Sequence, residues 1–393
     1  MSTAVIIDAV RTASGRGKPG GALADWHPVD LLATVLRGLV DRTGIDPGRL
    51  DDVIGGCLSQ VGEQAVNITR SAVLAAGFPH TVPATTVDRQ CGSSQQATAF
   101  AAQGVLAGAY DLVIACGVEL MSKNPINAAT LGKDPWGPLL AARYPDGLVG
   151  QGISAELIAA RWGLGRDALD EFAVRSHTLA AASSASGSFD GEILPVTGAG
   201  GSTHAVDETI RPGTTLDGLA QLKPAFADEA LGERFGLTDW RITAGNASPY
   251  TDGASAVLIA SESTAAHLGL IPRARFTHFA VTGSDPIEML SGVIPVTRRI
   301  LARSGLGIDD IDTFEINEAF ASVPLAWQRE LHADPERVNP RGGAIALGHA
   351  LGSSGTRLLT TMLGTLEQTG GRRGLQVMCE GAGMANATLI ERL

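Results

Sequence analysis

The stretch Val87-Asp-Arg-Gln-Cys91-Gly-Ser-Ser-Gln-Gln96 decides how the chain is read. Ahead of it, Thr81 to Val87 is rich in β-branched residues and predicts a buried strand. Behind it, Gly92 to Gly108 is rich in Ala, Gln and Leu, carries no proline, and predicts a helix. Cys91 therefore falls where a strand turns into a helix N-terminus. Free backbone N–H groups and the positive end of the helix dipole favour an anion there, so a thiolate is the expected form. The small residues Gly92, Ser93 and Ser94 leave a substrate room to approach the sulfur. A lone cysteine is more commonly a small buried hydrophobe. What weighs against that reading lies at the far end of the chain.

At 393 residues the chain exceeds one ordinary core, so two domains or two halves are expected. A hydrophobic fraction of 44% and a mean hydropathy of +0.13 suit a soluble protein with a large core. Gly 49 against 5% aromatic residues points to tight turns and backbone-lined sites rather than aromatic recognition surfaces. A net charge of −11 argues against nucleic acid as a partner, and an anionic substrate would need a local basic patch. No apolar run reaches roughly 18 residues, so no membrane span is expected. Met1-Ser-Thr-Ala-Val-Ile-Ile7 leads into a strand without the basic start and cleavage site of a signal peptide. Cys57, Cys91, Cys116 and Cys379 lie far apart, with neither metal-type spacing nor a disulfide framework. The expectation is a cytoplasmic enzyme with reduced thiols and no metal.

Strands are predicted over Ala4 to Val10, Val53 to Leu58, Leu112 to Val118 and Ala254 to Ser261. Helices are predicted over Pro28 to Val40, with Asp25 as cap, and over Gln64 to Ala76. Gly15-Arg-Gly-Lys-Pro-Gly20 matches a dinucleotide-binding glycine pattern, but no helix opens within it, and it reads as a plain loop. From Met121 to Trp240 prolines, glycines and serines are scattered, and two helices (Ile153 to Trp162, Asp167 to Ala182) sit among long loops. That region reads as an insertion folded over the core, the usual place for substrate contacts. Then the chain echoes itself. Gly44-Ile-Asp-Pro-Gly-Arg-Leu-Asp-Asp-Val53 leads into one strand, and Gly305-Leu-Gly-Ile-Asp-Asp-Ile311 into another over Thr313 to Ile316. Two copies of a βαβ-type unit, with sites at the carboxyl ends of central strands, fit these facts.

Three later stretches converge with Cys91. Asn317-Glu-Ala-Phe-Ala321 follows a strand and opens a helix. Gly342-Gly-Ala-Ile-Ala-Leu-Gly-His349-Ala-Leu-Gly-Ser-Ser-Gly355 is a glycine-rich turn carrying one histidine. Cys379-Glu-Gly-Ala-Gly-Met384 ends the strand Leu375 to Met378 and supplies backbone N–H groups in a tight bend. The order Cys, Asn-Glu-Ala-Phe, Gly-His, Cys-x-Gly resembles the thiolase family, the acetyl-CoA acetyltransferases and 3-ketoacyl-CoA thiolases. Arg11-Thr12, Asp207-Glu-Thr-Ile-Arg211, Thr215 to Phe226 and Thr243-Ala-Gly-Asn-Ala-Ser248 extend the match over nearly the whole chain. Thr86 to Gln96 leans toward bacterial members acting on bulky or steroid-derived acyl-CoAs.

The resemblance implies an α/β fold: duplicated βαβαβαββ halves forming a layered α-β-α-β-α core with an inserted loop domain. It divides the chain into a first half (1–120, completed by 243–269), the insertion (121–242) and a second half (270–393). It implies that Cys91 is the nucleophile, that His349 takes its proton, and that Cys379 exchanges protons with the acetyl-CoA enolate and with CoA. One oxyanion site would be His349 with a water held by Asn317. The other would be the backbone N–H groups of Cys91 and Gly381. CoA, a co-substrate rather than a bound cofactor, would lie near Arg211 and Ser248, with Met289 on the acyl side. Acyl-CoA and CoA would be the partners, and the assembly a homodimer or homotetramer.

Some residues depart from the pattern. Asp88 stands where Asn is usual, and Ala350 where a proline follows the histidine, which predicts a looser turn. Glu380 replaces an apolar residue beside Cys379; pointing inward it would raise the Cys379 thiol by like-charge repulsion, but the favoured expectation is that it is solvated at the strand end. Gly150 and Gly218 stand where His and Ser are common near CoA, and Gln151 where Met is common. A decarboxylating ketoacyl synthase would pair its cysteine with two histidines or His and Asn, whereas this chain offers His349 and Cys379. A thiolase-like protein that binds acyl-CoA without turnover is the non-enzymatic alternative.

Overall fold

Two glycines carry the repeat. Gly44 ends the helix Pro28–Thr43 and Gly305 ends Val293–Ser304, both in the left-handed region, φ 67° and 70°. A three-residue 3-10 turn follows each, Pro47–Arg49 and Ile308–Asp310, and then a strand. The echo in the sequence is thus a repeated helix–cap–turn–strand unit. The computed structural model describes residues 3–198 and 200–393. Met1 and Ser2, in the lead-in to the first strand, and Ala199, in the insertion, lie outside them.

The strands are β1 (Ala4–Arg11), β2 (Gly15–Arg16), β3 (Asp52–Gly56), β4 (Ala84–Val87), β5 (Leu112–Leu120), β6 (Val196–Thr197), β7 (Thr203–His204), β8 (Thr251–Ser261), β9 (Ala274–Gly283), β10 (Thr313–Ile316), β11 (Arg373–Glu380) and β12 (Met384–Arg392). β6 and β7 form a small hairpin. The large sheet runs β10-β11-β12-β9-β1-β8-β5-β3-β4, with β2 paired to β8. The halves β4-β3-β5-β8-β1 and β10-β11-β12-β9 join through the pairs Val5↔Arg275 and Ile6↔Ala274. In order of succession the first reads third, second, fourth, fifth, first, and the second repeats it without the third strand. A parallel bridge between Phe314 and Val338 stands where that strand would lie.

Apolar clusters define the layers. Leu31, Leu36 and Leu39 of Pro28–Thr43 pack with Val5, Val53 and Leu258 on the outer face of the first half-sheet. Helices Ser93–Leu106 and Ser354–Thr369 lie between the half-sheets, where Ala97, Ala101, Leu359 and Met362 meet Val113, Val257 and Phe276. Val293–Ser304 and Ser322–Leu331 cover the outer face of the second half-sheet through Val296, Ile300 and Trp327. This is the α-β-α-β-α stack. The insertion does more than fold over it. Its helices Gln151–Arg161 and Arg166–Ala185 put Ile153, Ile158, Leu169 and Phe172 into that last cluster. Among the described residues no helix is long and apolar enough to cross a membrane.

Local readings need correction in four places. Pro28 occupies the first helical position, so His27 rather than Asp25 is the cap, its Nδ1 accepting from Val29 N at 3.3 Å. The helix expected from Gln64 begins at Ile68, because Asn67 caps it and the Gln64 amide is drawn to Glu119 Oε1 (2.7 Å) and Leu120 N (2.8 Å). β4 is shorter than Thr81 to Val87 and only partly buried, since Pro83 precedes it and it forms the sheet edge. Cys91 therefore follows an edge strand, not a central one.

Candidate active site

Cys91 sits one residue before Gly92, which caps the helix Ser93–Leu106. Gln90 ahead of it has φ 50°, a conformation that a side chain adopts at a cost of about 1 kcal/mol or more. Hydrogen bonds hold that corner: Gln90 N to Asp88 Oδ1 (2.7 Å), Arg89 N to Ser93 Oγ (3.0 Å) and Ser93 Oγ to Gln90 O (2.6 Å). Asp88 thus closes a turn through its carboxylate. The helices that follow Cys91 and His349, Ser93–Leu106 and Ser354–Thr369, meet at their first turns, where Thr356 N donates to Ser94 Oγ at 3.0 Å. Glycine permits the approach, because a Cβ on Gly355 would lie 2.1 Å from Gln95 N.

His349 is buried and fixed at three atoms. Its N–H donates to Thr251 Oγ1 (3.0 Å), Nδ1 lies 2.6 Å from Ser354 Oγ, and Nε2 lies 3.4 Å from Asn317 Nδ2. Ser354 Oγ donates to Ala350 O at 2.9 Å, so it receives the Nδ1 proton. The ring then carries its lone pair on Nε2. Burial, with the positive Arg357 nearby, pushes the imidazole down to about 3, so it is a neutral base. The turn after it is not loosened by Ala350, whose carbonyl also accepts from Ser353 N and Ser354 N, each at 2.9 Å. Glu119 braces the same turn: Oε2 accepts from Gly352 N (3.0 Å) and Leu58 N (2.8 Å).

Asn317 follows β10, and its Nδ2 also reaches Cys379 Sγ at 3.9 Å. One amide therefore spans the histidine and the second sulfur. Glu318 next to it is a brace, accepting from Ser176 Oγ (2.7 Å), Asn339 Nδ2 (2.8 Å) and Ile345 N (3.1 Å). Cys379 lies near the end of β11, fully buried, its thiol pushed up to about 12 by burial and by Glu380, against hydrogen bonds from Asn317 and the Ala319 N–H. Gly381 opens the β11–β12 loop and abuts Gln90, whose Oε1 would lie 2.9 Å from a Cβ placed there. The loop thereby touches the corner that carries Cys91.

Two expectations fail here. Burial and the neighbouring Cys379 raise the Cys91 thiol well above its ordinary range, outweighing the helix terminus, so the resting form is the thiol. Glu380 is not solvated. It has no exposed surface, because β11 points it inward between the half-sheets, and burial pushes it up to about 8.

The peripheral residues scatter. Ser248 N donates to Ala319 O at 3.0 Å, beside the Asn317 segment. Met289 is buried in the cluster that contains Cys379. Arg211 is exposed, with its N–H on His177 Nδ1 at 3.2 Å, and no hydrogen bond or ion pair among the described residues joins its guanidinium to the sulfurs. The site also includes residues to which sequence reasoning gave no role. Gln151 Nε2 is 3.9 Å from Cys91 Sγ, and Ser354 and Thr251 hold the histidine. Small hydroxyls at the start of a helix behind a histidine were the available signal for Ser354.

A buried thiol at Cys91, beside a neutral imidazole joined to a second thiol through one amide, suits acyl transfer by a cysteine nucleophile, with a sulfur where a synthase would carry a second imidazole or amide. The thiolase N-terminal domain matches residues 4–263 and the thiolase C-terminal domain residues 270–392, so the chain belongs to the thiolase family and is an acyltransferase. It is 50% identical to a steroid 3-ketoacyl-CoA thiolase of Mycobacterium tuberculosis, over 100% of this chain and 95% of that one. It is 43% identical to a 3-ketoacyl-CoA thiolase of Pseudoalteromonas translucida over 100% of both. The acetyl-CoA acetyltransferase of Bacillus anthracis superposes with a TM-score of 0.89 at 36% identity, covering 100% of this chain and 99% of that one.

Proposed function

We propose that the chain cleaves a 3-oxoacyl-CoA with CoA, giving acetyl-CoA and a shortened acyl-CoA, and that Cys91, His349, Asn317, Cys379 and Gly381 carry the reaction. The observation that carries this reading is the Asn317 amide set between His349 Nε2 and Cys379 Sγ. His349 Nε2 takes the Cys91 proton and the thiolate attacks the C3 carbonyl. The C2–C3 bond breaks, the electron pair leaves as the acetyl-CoA enolate, and the Cys379 thiol protonates it. The Cys379 thiolate then takes the proton of incoming CoA, whose sulfur displaces the acyl group from Cys91, and His349 returns its proton. His349 with a water on Asn317 stabilises one oxyanion, and the Cys91 and Gly381 N–H groups the other. Run backwards, the same steps condense two acyl-CoA molecules.

The acyl group is a bulky one, supported by the 50% identity to a relative named for steroid substrates. CoA lies along the surface near Arg211 and Ser248, with Met289 toward the acyl side. The protein works in the cytoplasm, in lipid breakdown, as a homodimer or homotetramer.

Intact-mass spectrometry after substrate addition tests the scheme. An acyl adduct is expected on the wild type and on Cys379→Ser, and none on Cys91→Ser. Cys379→Ser should turn over neither in cleavage nor in condensation, because a serine hydroxyl is no base toward CoA near neutral pH. An undiminished adduct in Cys91→Ser, or normal turnover in Cys379→Ser, refutes the two-sulfur reaction. Comparing kcat/KM for acetoacetyl-CoA, long linear and steroid-derived 3-oxoacyl-CoAs decides the acyl class.

A further inference from the structure

Glu380 is placed where a strand end rarely puts a carboxyl. Successive side chains of β11 point to opposite faces, so Cys379 packs outward with Val377 while Met378 and Glu380 turn inward. Met378 touches the cluster that holds Cys91. Glu380 comes to rest against Gly92, the residue after the nucleophile. A Cβ on Gly92 would lie 2.0 Å from Glu380 Oε1 and 3.0 Å from Asn386 Nδ2. The carboxyl is wedged between the two segments that carry the two sulfurs.

Among the described residues it has no partner: neither Glu380 oxygen accepts a hydrogen bond, and Arg89 Nε and Asn386 Oδ1 beside it are unpaired as well. Arg89 directs its Nη1 to Met384 Sδ at 3.9 Å and makes no ion pair with Glu380 among the described residues. The charged and titratable groups that face it are Arg89 and Asp88 from the corner ahead of Cys91, Cys91 itself, and Cys379 on its own strand. β12 contributes the uncharged Asn386. A buried carboxylate lacking hydrogen bonds is strongly disfavoured, whereas the neutral acid is tolerated.

We propose that Glu380 is a positioning residue that serves the reaction as a protonated acid: it fills the space under Gly92 without charge, so that Cys91 and Cys379 can each become a thiolate, and its ionisation in alkaline solution closes the enzyme down. The proposal rests on the roles given above to the two sulfurs. An anion at Glu380 raises both thiols, since each lies within its electrostatic reach. With the acid titrating near 8, the active fraction falls about tenfold between about pH 7 and about pH 9.

The test is Glu380→Gln, which keeps the shape of the neutral acid and removes its proton. Turnover is measured at about pH 7 and about pH 9, and Cys91 alkylation by iodoacetamide is followed across the same range by mass spectrometry. The ratio of turnover at the higher pH to that at the lower should rise about tenfold over the wild-type ratio, and alkylation above pH 8 should accelerate correspondingly. Should that variant not fold, Glu380→Met, uncharged and of similar length, carries the same expectation. An unchanged ratio with unchanged alkylation, or an equal loss of turnover at both pH values, overturns the proposal. If Cys91 is never acylated, the scheme for the two sulfurs fails instead. If Cys91 is acylated and Cys379→Ser is dead while the ratio is unmoved, the role of Glu380 alone fails.

Discussion

Replacing Ser354 by alanine should slow turnover about thirtyfold and leave the fold standing. The hydroxyl is 2.6 Å from His349 Nδ1 and 2.9 Å from the Ala350 carbonyl, to which it gives its own proton. It must therefore receive the Nδ1 proton, which leaves the Nε2 lone pair to act as base. Alanine strands a buried N–H, at a cost of about 1–3 kcal/mol. Moving the proton to Nε2 escapes that cost only by pointing it at Asn317 Nδ2, 3.4 Å away and itself a donor, and by removing the base. Either way about 2 kcal/mol is added to the barrier, roughly a thirtyfold loss. Ser354 is the first residue of its helix and not the cap, so melting should shift by no more than about 2 °C. Single-turnover acylation of Cys91 by rapid quench, beside a thermal melt, gives both quantities. Ser354→Thr keeps a hydroxyl and should recover most of the loss. A Ser354→Ala enzyme within about threefold of wild type with the same melt, or a threonine variant no better than alanine, would refute the tautomer argument.

Asn317→Ala should lower kcat about a hundredfold with little change in melting, since it removes the amide shared by His349 and Cys379, and kcat near wild type in a folded variant would remove Asn317 from the scheme. Stability should carry the mark of Glu380. Its carboxyl is raised from an ordinary 4.5 to about 8 on folding, so its contribution is complete below 4.5 and is lost as pH rises through 8. Glu380→Gln should melt increasingly above the wild type as pH climbs across that window. A melting difference that is flat with pH would show that the acid is not buried as described.

The repeat was legible because it is local. Gly44 and Gly305 with the Asp-rich turns after them are read from neighbouring residues, and the strands they introduce form as expected. The order of site motifs was legible for the same reason. What escaped depends on distant parts of the chain. Gln64 looks like a helix former until Glu119, 55 residues on, claims its amide. Glu380 looks like a surface residue because hydropathy alone places it at a strand end, while the packing of β11 against Gly92 buries it. Cys91 has the helix terminus that favours a thiolate, yet burial on every side outweighs it, and burial is a tertiary quantity. Ser354 is five residues from His349, but its bond to the ring depends on how the intervening turn folds back.

The missing third strand of the second half has a consequence for symmetry. Where β4 pairs with β3 along its backbone, β10 keeps one backbone bridge, with Asn339 N donating to Phe314 O at 2.9 Å, and the amide of Asn339 then continues the pairing: Ile316 N donates to Asn339 Oδ1 at 2.8 Å, and Asn339 Nδ2 donates to Ile316 O at 2.9 Å. One side chain mimics one peptide of a strand. With the strand reduced to one backbone bridge and one side-chain amide, the chain after β10 turns inward at Asn317, whose Nδ2 lies 3.4 Å from His349 Nε2 on the following glycine-rich segment. The doubled chain thus departs from its own repeat here, and on the scheme proposed above its two halves take unlike parts in one reaction.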